Sequence, residues 1–287
     1  MEKPTSSEKP DQIEVDCINA LAGAAEVKNR VLSGLALGYP SIESSAYLIK
    51  CRVKEHSSLV EKVQNKRECG NPDYSAKDAT DIVGLRLLAL FRGDLPTLVN
   101  NLLNFLRAGQ SDDFSLFVGN NLADACSEII VYTAADPGDQ VDQMVFDIFR
   151  KKGIRIQGDA SQDAQDESKI IVKVVRKESR YSSIHLIVWC RNLISKQEKH
   201  KIPMEIQIRT SLEDVWGEIH HGLSYKNKSL HNNDAAREFI DSAEEHLINL
   251  KAQLDICART ADLISKQMSY AGPAAGRSTA QVSAFSD

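Results

Sequence analysis

The chain has 287 residues, 42% hydrophobic and 26% charged, with a formal net charge of −5; this is the balance of a globular protein able to bury one large core. The negative balance removes any general attraction to nucleic acid or anionic membrane, so a polyanion site has to be local and built from clustered Arg and Lys. Six scattered cysteines without a CxxC pair argue against zinc and against a disulfide framework. With no apolar run near the ~20 residues of a membrane helix and no secretory-type apolar segment near Met1, the expected location is the cytoplasm, with no membrane partner.

Residues 1–12, rich in Pro, Ser, Lys and Glu, are expected to be disordered. Helical spacing runs from Ile13 to Ser33 and stops around Gly34 and Gly38. A second helix is predicted over Ser41–Lys50, and a third, capped by Ser57, runs to Arg67. Cys69–Ala79 reads as a turn-rich loop. Ile82–Phe91 is a near-continuous apolar run suited to a central strand, and Asp94–Ala108 is an amphipathic helix with Leu95, Leu98, Leu102, Leu103 and Leu106 inward. Between 111 and 168 the pattern is weak: a short strand over Glu128–Tyr132, a helix over Val141–Lys152 and a polar loop over Gly158–Ser168. Strands follow at Ile170–Val175 and Ile184–Trp189, then a basic hairpin connection over Arg191–Lys201.

In Met204–Thr210, Glu205, Gln207 and Arg209 alternate with Met204, Ile206 and Ile208, the period of a half-buried strand. One face is oily, and the other sets an acid, an amide and a guanidinium about 7 Å apart, two strand rises per step. Thr210 is placed to cap a helix holding Leu212, Val215, Trp216 and Ile219. The last helix, Asp234–Gln267, carries a 3-4 seam of Ile240, Ala243, Leu247, Leu250, Leu254, Cys257, Ala261, Ile264 and Met268. That seam packs either on the chain's own domain or on a partner helix, which permits a homo-oligomer. The predicted organisation is a main domain over 13–228, a helical extension over 229–270 and a loose tail over 271–287.

Charged residues cluster around these elements. Arg52 and Lys54 precede a helix on which Ser58, Lys62 and Lys66 share one face, and a helix start already favours anions through its dipole and free amides. A triphosphate cradle and a solvated lysine face are both compatible with this segment. Asp81 stands before the apolar strand that contains Gly84 and Arg86. A carboxylate there, facing Glu205, supplies the minimum for Mg²⁺ with phosphates completing the shell; a turn cap is the other reading. Arg86 within a strand needs a counter-charge, from a phosphate or from a core carboxylate. Tyr181, flanked by Lys177 and Arg180, suits base stacking as well as plain packing. His185 reads equally as a core histidine.

Taken together, four blocks resemble the synthetase domain of the RelA/SpoT family, the alarmone (ppGpp) synthetases. They are Arg52-x-Lys54-x3-Ser58-x3-Lys62; Asp81-Ile-Val-Gly84-Leu-Arg86; Tyr181-Ser-Ser-Ile-His185; and Glu205-Ile-Gln207-Ile-Arg209-Thr210, closed by Trp216, His221 and Tyr225-Lys226. The resemblance implies an α/β (α+β) fold, a nucleotidyltransferase-like mixed sheet flanked by helices, with the long C-terminal helix added. It implies a pyrophosphokinase that moves the β,γ-pyrophosphate of ATP to the 3′-hydroxyl of GDP or GTP. Arg52, Lys54, Ser58, Lys62 and Arg86 would then hold ATP. Asp81 and Glu205 would bind Mg²⁺, with Glu205 also acting as the base. Tyr181, Lys177, His185, Gln207 and Arg209 would receive the acceptor.

The chain departs from that family on the acceptor side. Members commonly carry Lys-Pro-Asn-Gly before the stacking tyrosine, where this sequence has Lys177-Glu-Ser-Arg180, and His220 stands where small members often carry Glu. The resemblance therefore also admits a toxin-like relative acting on adenosine nucleotides or on the 3′ end of tRNA, to which a basic surface of Arg176, Lys177, Arg180, Arg191, Lys196, Lys199 and Lys201 would suit. A non-catalytic nucleotide-sensing module is the third reading; a sensor has no need of the Asp81 and Glu205 pair.

Overall fold

The computed structural model describes residues 12–110, 116–133, 139–159, 170–177, 180–193, 201–220, 222, 234–271 and 281–282. The expected disorder of 1–12, the loop at 160–168 and the positions of His221, Tyr225 and Lys226 lie outside the described residues, Gln12 apart.

Helices α1 (Gln12–Leu21), α2 (Ala24–Gly38) and α3 (Pro40–Ser45) lead into strand β1 (Leu48–Val53) and helix α4 (His56–Glu68). Strand β2 (Val83–Ala89) is followed by α5 (Leu95–Ala108), the short α6 (Leu122–Ala125), β3 (Cys126–Thr133) and α7 (Gln140–Lys151). Strands β4 (Arg155–Ile156), β5 (Ile171–Arg176), β6 (Ser183–Arg191) and β7 (Lys201–Thr210) precede α8 (Ser211–His220), α9 (Asp234–Ala271) and β8 (Gln281–Val282).

All the strands lie in one mixed sheet in the order β4-β5-β3-β6-β7-β2-β1-β8. The long central strands are β6, β7 and β2, with β6 antiparallel and β2 parallel to β7. Their oily faces make the core: Val83, Leu85, Leu87, Met204, Ile206 and Ile208 are all buried, and α2 and α5 cover that side of β1, β2 and β7. Phe105 of α5 meets Phe117 edge-on at 5.5 Å and Tyr39 at 5.2 Å, a geometry aromatic pairs favour. The mixed sheet with flanking helices is the predicted architecture.

Several boundaries differ from expectation. The single helix over Ile13–Ser33 is two, because Gly23 adopts a left-handed φ of 86° and its small neighbours keep helical spacing through the break. Ser41–Lys50 is not one helix: α3 ends at Ser45 and Leu48–Lys50 belong to β1. Glu55, not Ser57, stands at the N-cap of α4, with no side-chain cap bond. Gln281–Val282, expected within a loose tail, pair in parallel with Leu48–Ile49.

Thr210 does cap α8, its Oγ1 accepting from the amide of Glu213 at 3.2 Å. Thr210→Ala is expected to lower stability by about 1 kcal/mol, read as a shift of the urea midpoint at unchanged slope.

The last helix corrects the predicted seam. It docks on the domain through Leu247, Lys251, Asp262 and the half-buried Leu254, Asp255 and Ala258. Leu250, Cys257, Ile264 and Met268 are exposed instead, and the side chain of Ile240 lies outside the described set. Polar partners decide the docked face: Lys251 binds Glu213, and Asp262 accepts from the amide of Gly93 at 3.0 Å. No described helix is long and apolar enough to cross a membrane.

Candidate active site

Strand alternation assembles the site. On β7, Glu205, Gln207 and Arg209 turn away from the core, and the sheet register sets matching residues beside them. Gly84 lies opposite Glu205, and Arg86 opposite Gln207. Arg52 and Lys50 of β1 continue those two rows, and His185 of β6 lies across from Gln207 on the other side. One sheet face thus carries acid, imidazole, amide and four cations, and a cleft lined by Arg52, Asp81, Gly84, Arg86, Glu205 and Gln207 opens on it.

The two predicted carboxylates meet at this cleft. Asp81 receives Lys54 Nζ and Lys62 Nζ, each at 2.8 Å. Burial alone would push its carboxyl up, and the two lysine hydrogen bonds more than offset that, holding it below the usual carboxylate range. Glu205 accepts from His185 Nδ1 at 2.8 Å. Burial again pushes upward, and the histidine bond and charge outweigh it, so Glu205 also lies below its ordinary value. Both groups are therefore anionic at neutral pH.

These residues fit Mg²⁺. Two ionised oxygen donors sharing a cation-rimmed cleft match an ion that takes one or two carboxylates and completes its shell with water and phosphate. No cluster of three or more His, Cys, Asp or Glu ligands occurs among the described residues, so a site held by the protein alone is not formed there.

Asp214 organises the cations and went unnoticed in the sequence. Its side chain is buried at 5% exposure and accepts Lys50 Nζ at 2.7 Å and Arg86 Nη1 at 3.3 Å, with Arg209 Nε 3.6 Å away. Glu218, one turn further along α8, takes a second bond from Arg86. The counter-charge of Arg86 is thus a core carboxylate with a surface one beside it. Its signal was present: Asp214 and Glu218 stand at i and i+4 on the helix that follows the Glu205 strand. Arg52 and Ser58 are exposed at the cleft end of β1 and near the start of α4.

Among the residues predicted to receive the acceptor, the Tyr181 hydroxyl and His185 Nε2 lie 3.1 Å apart. An anionic Glu205 only accepts, so His185 Nδ1 bears a proton, and Nε2 pairs with the Tyr181 hydroxyl. Both ring nitrogens are spent inside the protein. His185, predicted to touch the acceptor, stands between Glu205 and Tyr181 and bonds both. The ammonium of Lys177, also predicted to receive the acceptor, lies 5.4 Å from the ring centroid of Tyr132. Arg209 sits 5.8 Å from the Tyr181 centroid and donates to Gln207. Tyr132, which sequence reasoning missed, packs against His185 at 4.9 Å and Tyr181 at 5.6 Å. His220 stacks near Trp216 at 5.6 Å, away from this cluster.

Comparison with known proteins bears on one region of the sequence and on the fold. The family model described as a region found in RelA / SpoT proteins matches residues 138–230. The fold is similar to that of the small alarmone synthetase 1 from Bacillus subtilis, with TM-score 0.52 and 19% identity over 88% of this chain and 96% of that one. The structure of that synthetase bound to its product pppGpp gives TM-score 0.52 and 20% identity over 90% of this chain and 100% of that one. No curated protein matches the chain. Residues 138–230 thus match the region found in RelA / SpoT proteins, and the chain has a fold similar to that of the small alarmone synthetases.

Proposed function

We propose that the protein is an ATP:guanosine-nucleotide 3′-pyrophosphokinase, making (p)ppGpp from GDP or GTP. The observation that carries this reading is the pair Asp81 and Glu205, both ionised, in one cleft walled by Arg and Lys and joined through His185 to Tyr181. Charge neutralisation and positioning are what phosphoryl-type transfer asks of a protein.

In this mechanism Arg52, Lys54, Ser58, Lys62 and Arg86 bind ATP. Lys54 and Lys62 face Asp81 from two elements, so they present a divided positive wall to a triphosphate. Asp81 and Glu205 would hold Mg²⁺, which when bound neutralises charge on the phosphates. Tyr181 stacks the acceptor base, with Arg209 behind its ring. The acceptor 3′-hydroxyl gives its proton to the Glu205 carboxylate as its oxygen bonds to the β-phosphorus of ATP. The bond between that phosphorus and the α,β-bridging oxygen breaks, and AMP leaves with the electron pair.

A small nucleotide suits the acceptor side better than tRNA. Much of the basic surface that would meet RNA is engaged within the fold: Arg180 pairs with Asp255, Arg191 Nε donates to the Phe117 carbonyl at 2.9 Å, and Lys201 lies 4.0 Å over Trp189. The test is transfer from γ-labelled ATP with Mg²⁺ to GDP, GTP, AMP, ADP, ATP and bulk tRNA in separate reactions. Label on GDP or GTP is expected; label on adenosine nucleotides or tRNA moves the protein to the toxin-like reading, and label on none favours the sensor.

Tyr181→Ala is expected to raise the acceptor KM by roughly tenfold or more, since base stacking contributes about 1–3 kcal/mol, with the KM for ATP unchanged. Equal acceptor kinetics in this variant would remove the stacking role.

A further inference from the structure

Arg180 is the one non-glycine residue with positive φ, 57°, among the described residues. L side chains rarely take this conformation, which glycine adopts freely. An outlier of this kind persists when the surroundings over-determine it, and here the surroundings are α9. Arg180 Nε and Nη2 both lie 3.1 Å from Asp255 Oδ2 of that helix.

The other side of Tyr181 is tied to the same helix by a second route. The amide of Ser182 donates to Glu213 Oε2 at 3.4 Å. Glu213 Oε1 in turn receives Lys251 Nζ of α9 at 2.8 Å, and Lys251 also bonds Asp255. Lys251 is 1% exposed. A buried charge network of this kind seldom stabilises more than well-packed apolar residues of similar volume, so what it secures is geometry. The placement of α9 is fixed further along by Asp262, which holds the amide of Gly93.

We infer that α9 is a strut that sets the shape of the Arg180–Ser182 segment, with Arg180 and Lys251 as positioning residues for Tyr181. The inference rests on the reading of Tyr181 as the acceptor platform. Neither residue lines the cleft of Asp81 and Glu205, so their effect is expected on the acceptor and not on ATP. The device also explains how an arginine can stand at a left-handed φ that glycine adopts freely. The backbone keeps the left-handed turn, and the side chain gains a use in anchoring the helix.

The test uses Arg180→Gly, Asp255→Asn and Lys251→Met in the full chain. KM is measured for ATP and for the acceptor separately, and amide exchange is followed by mass spectrometry over residues 180–183. Arg180→Gly keeps the turn and removes the tether. Asp255→Asn keeps the Arg180 charge and removes its partner. Both are expected to raise the acceptor KM roughly tenfold, the loss of one charge-assisted contact, with the KM for ATP unchanged and faster exchange at 180–183. Lys251→Met is expected to speed the same exchange; if it does not fold, the other two variants decide.

Unchanged exchange with unchanged acceptor KM overturns the inference. So does a KM rise in Arg180→Gly that Asp255→Asn does not share, because Arg180 would then meet the acceptor itself. A lowered unfolding midpoint with no split between the two KM values would make α9 a structural prop only. Exchange is read without turnover: a wild-type protein that transfers to no acceptor sinks the pyrophosphokinase reading, while exchange still decides the coupling of the segment to α9.

Discussion

Glu205→Gln is expected to cut pyrophosphate transfer by about 10²–10⁴-fold, the usual worth of a positioned general base, while ATP still binds. The substitution keeps the shape of the side chain and its place on β7, flanked by Met204 and Ile206, which are fully buried. It removes the charge that His185 stabilises and, in the proposed mechanism, the group that takes the proton. The amide can still accept from His185 Nδ1, so the Tyr181–His185 contact persists and acceptor binding changes little. The effect therefore falls on kcat more than on either KM. Single-turnover transfer from labelled ATP, with binding followed separately by calorimetry, checks the split. A variant within threefold of wild type would show that the proton leaves by another route. The pH behaviour has a definite sign. Glu205 has its pKa lowered in the fold, so its contribution to stability is present above the ordinary glutamate range and is lost as pH falls through the lowered value.

Asp214→Asn is expected to cost about 3–5 kcal/mol of stability, the scale for removing one partner from a buried ionic group. Three cations converge on this one carboxylate, and they differ in how far water can replace it. The Lys50 side chain is 35% exposed and Arg86 is 24%, so both regain some solvation, and Arg86 keeps Glu218. Arg209 is 4% exposed and has no such relief. Its guanidinium is wedged against Gly217, where an added Cβ would come within 2.8 Å of Nη1. Most of the loss thus falls on Arg209, and with it the support behind Tyr181. Urea unfolding at constant slope measures the cost; a loss under about 1 kcal/mol would mean that Asp214 is not the anchor of this face.

Much of the site was legible because strand alternation is a local signal. Met204 to Thr210 announces its two faces in seven residues, and the register of the sheet then brings Gly84, Arg86 and His185 to the polar one. The same period runs through Ile49, Cys51 and Val53, alternating with Lys50 and Arg52, yet the serines and Glu43 just before it read as a helix that continues. Strand β1 was hidden by its neighbour. Asp214 was missed for a different reason: its spacing with Glu218 is a local hint, but its partners Lys50 and Arg86 lie 164 and 128 residues away, and no local pattern names them. The α9 seam failed because hydrophobic periodicity marks apolar residues only. The docked face is chosen by Lys251, Asp255 and Asp262, whose partners on α8 and near Arg180 and Gly93 appear only once the chain is folded. The contacts of Lys177 with Tyr132 and of His185 with Glu205 join residues of different strands or strand ends, which the sequence around Tyr181 does not report.

The most direct measurement is the identity of the coproduct when the protein, ATP and Mg²⁺ meet GDP or GTP. The mechanism releases one AMP for each acceptor that gains a 3′-diphosphate, countable by ion-pair chromatography with the product confirmed by phosphorus NMR. AMP in one-to-one ratio with a 3′-diphosphorylated guanosine nucleotide is the predicted result. ADP in place of AMP, or ATP consumed with the guanosine nucleotide unchanged, would contradict it.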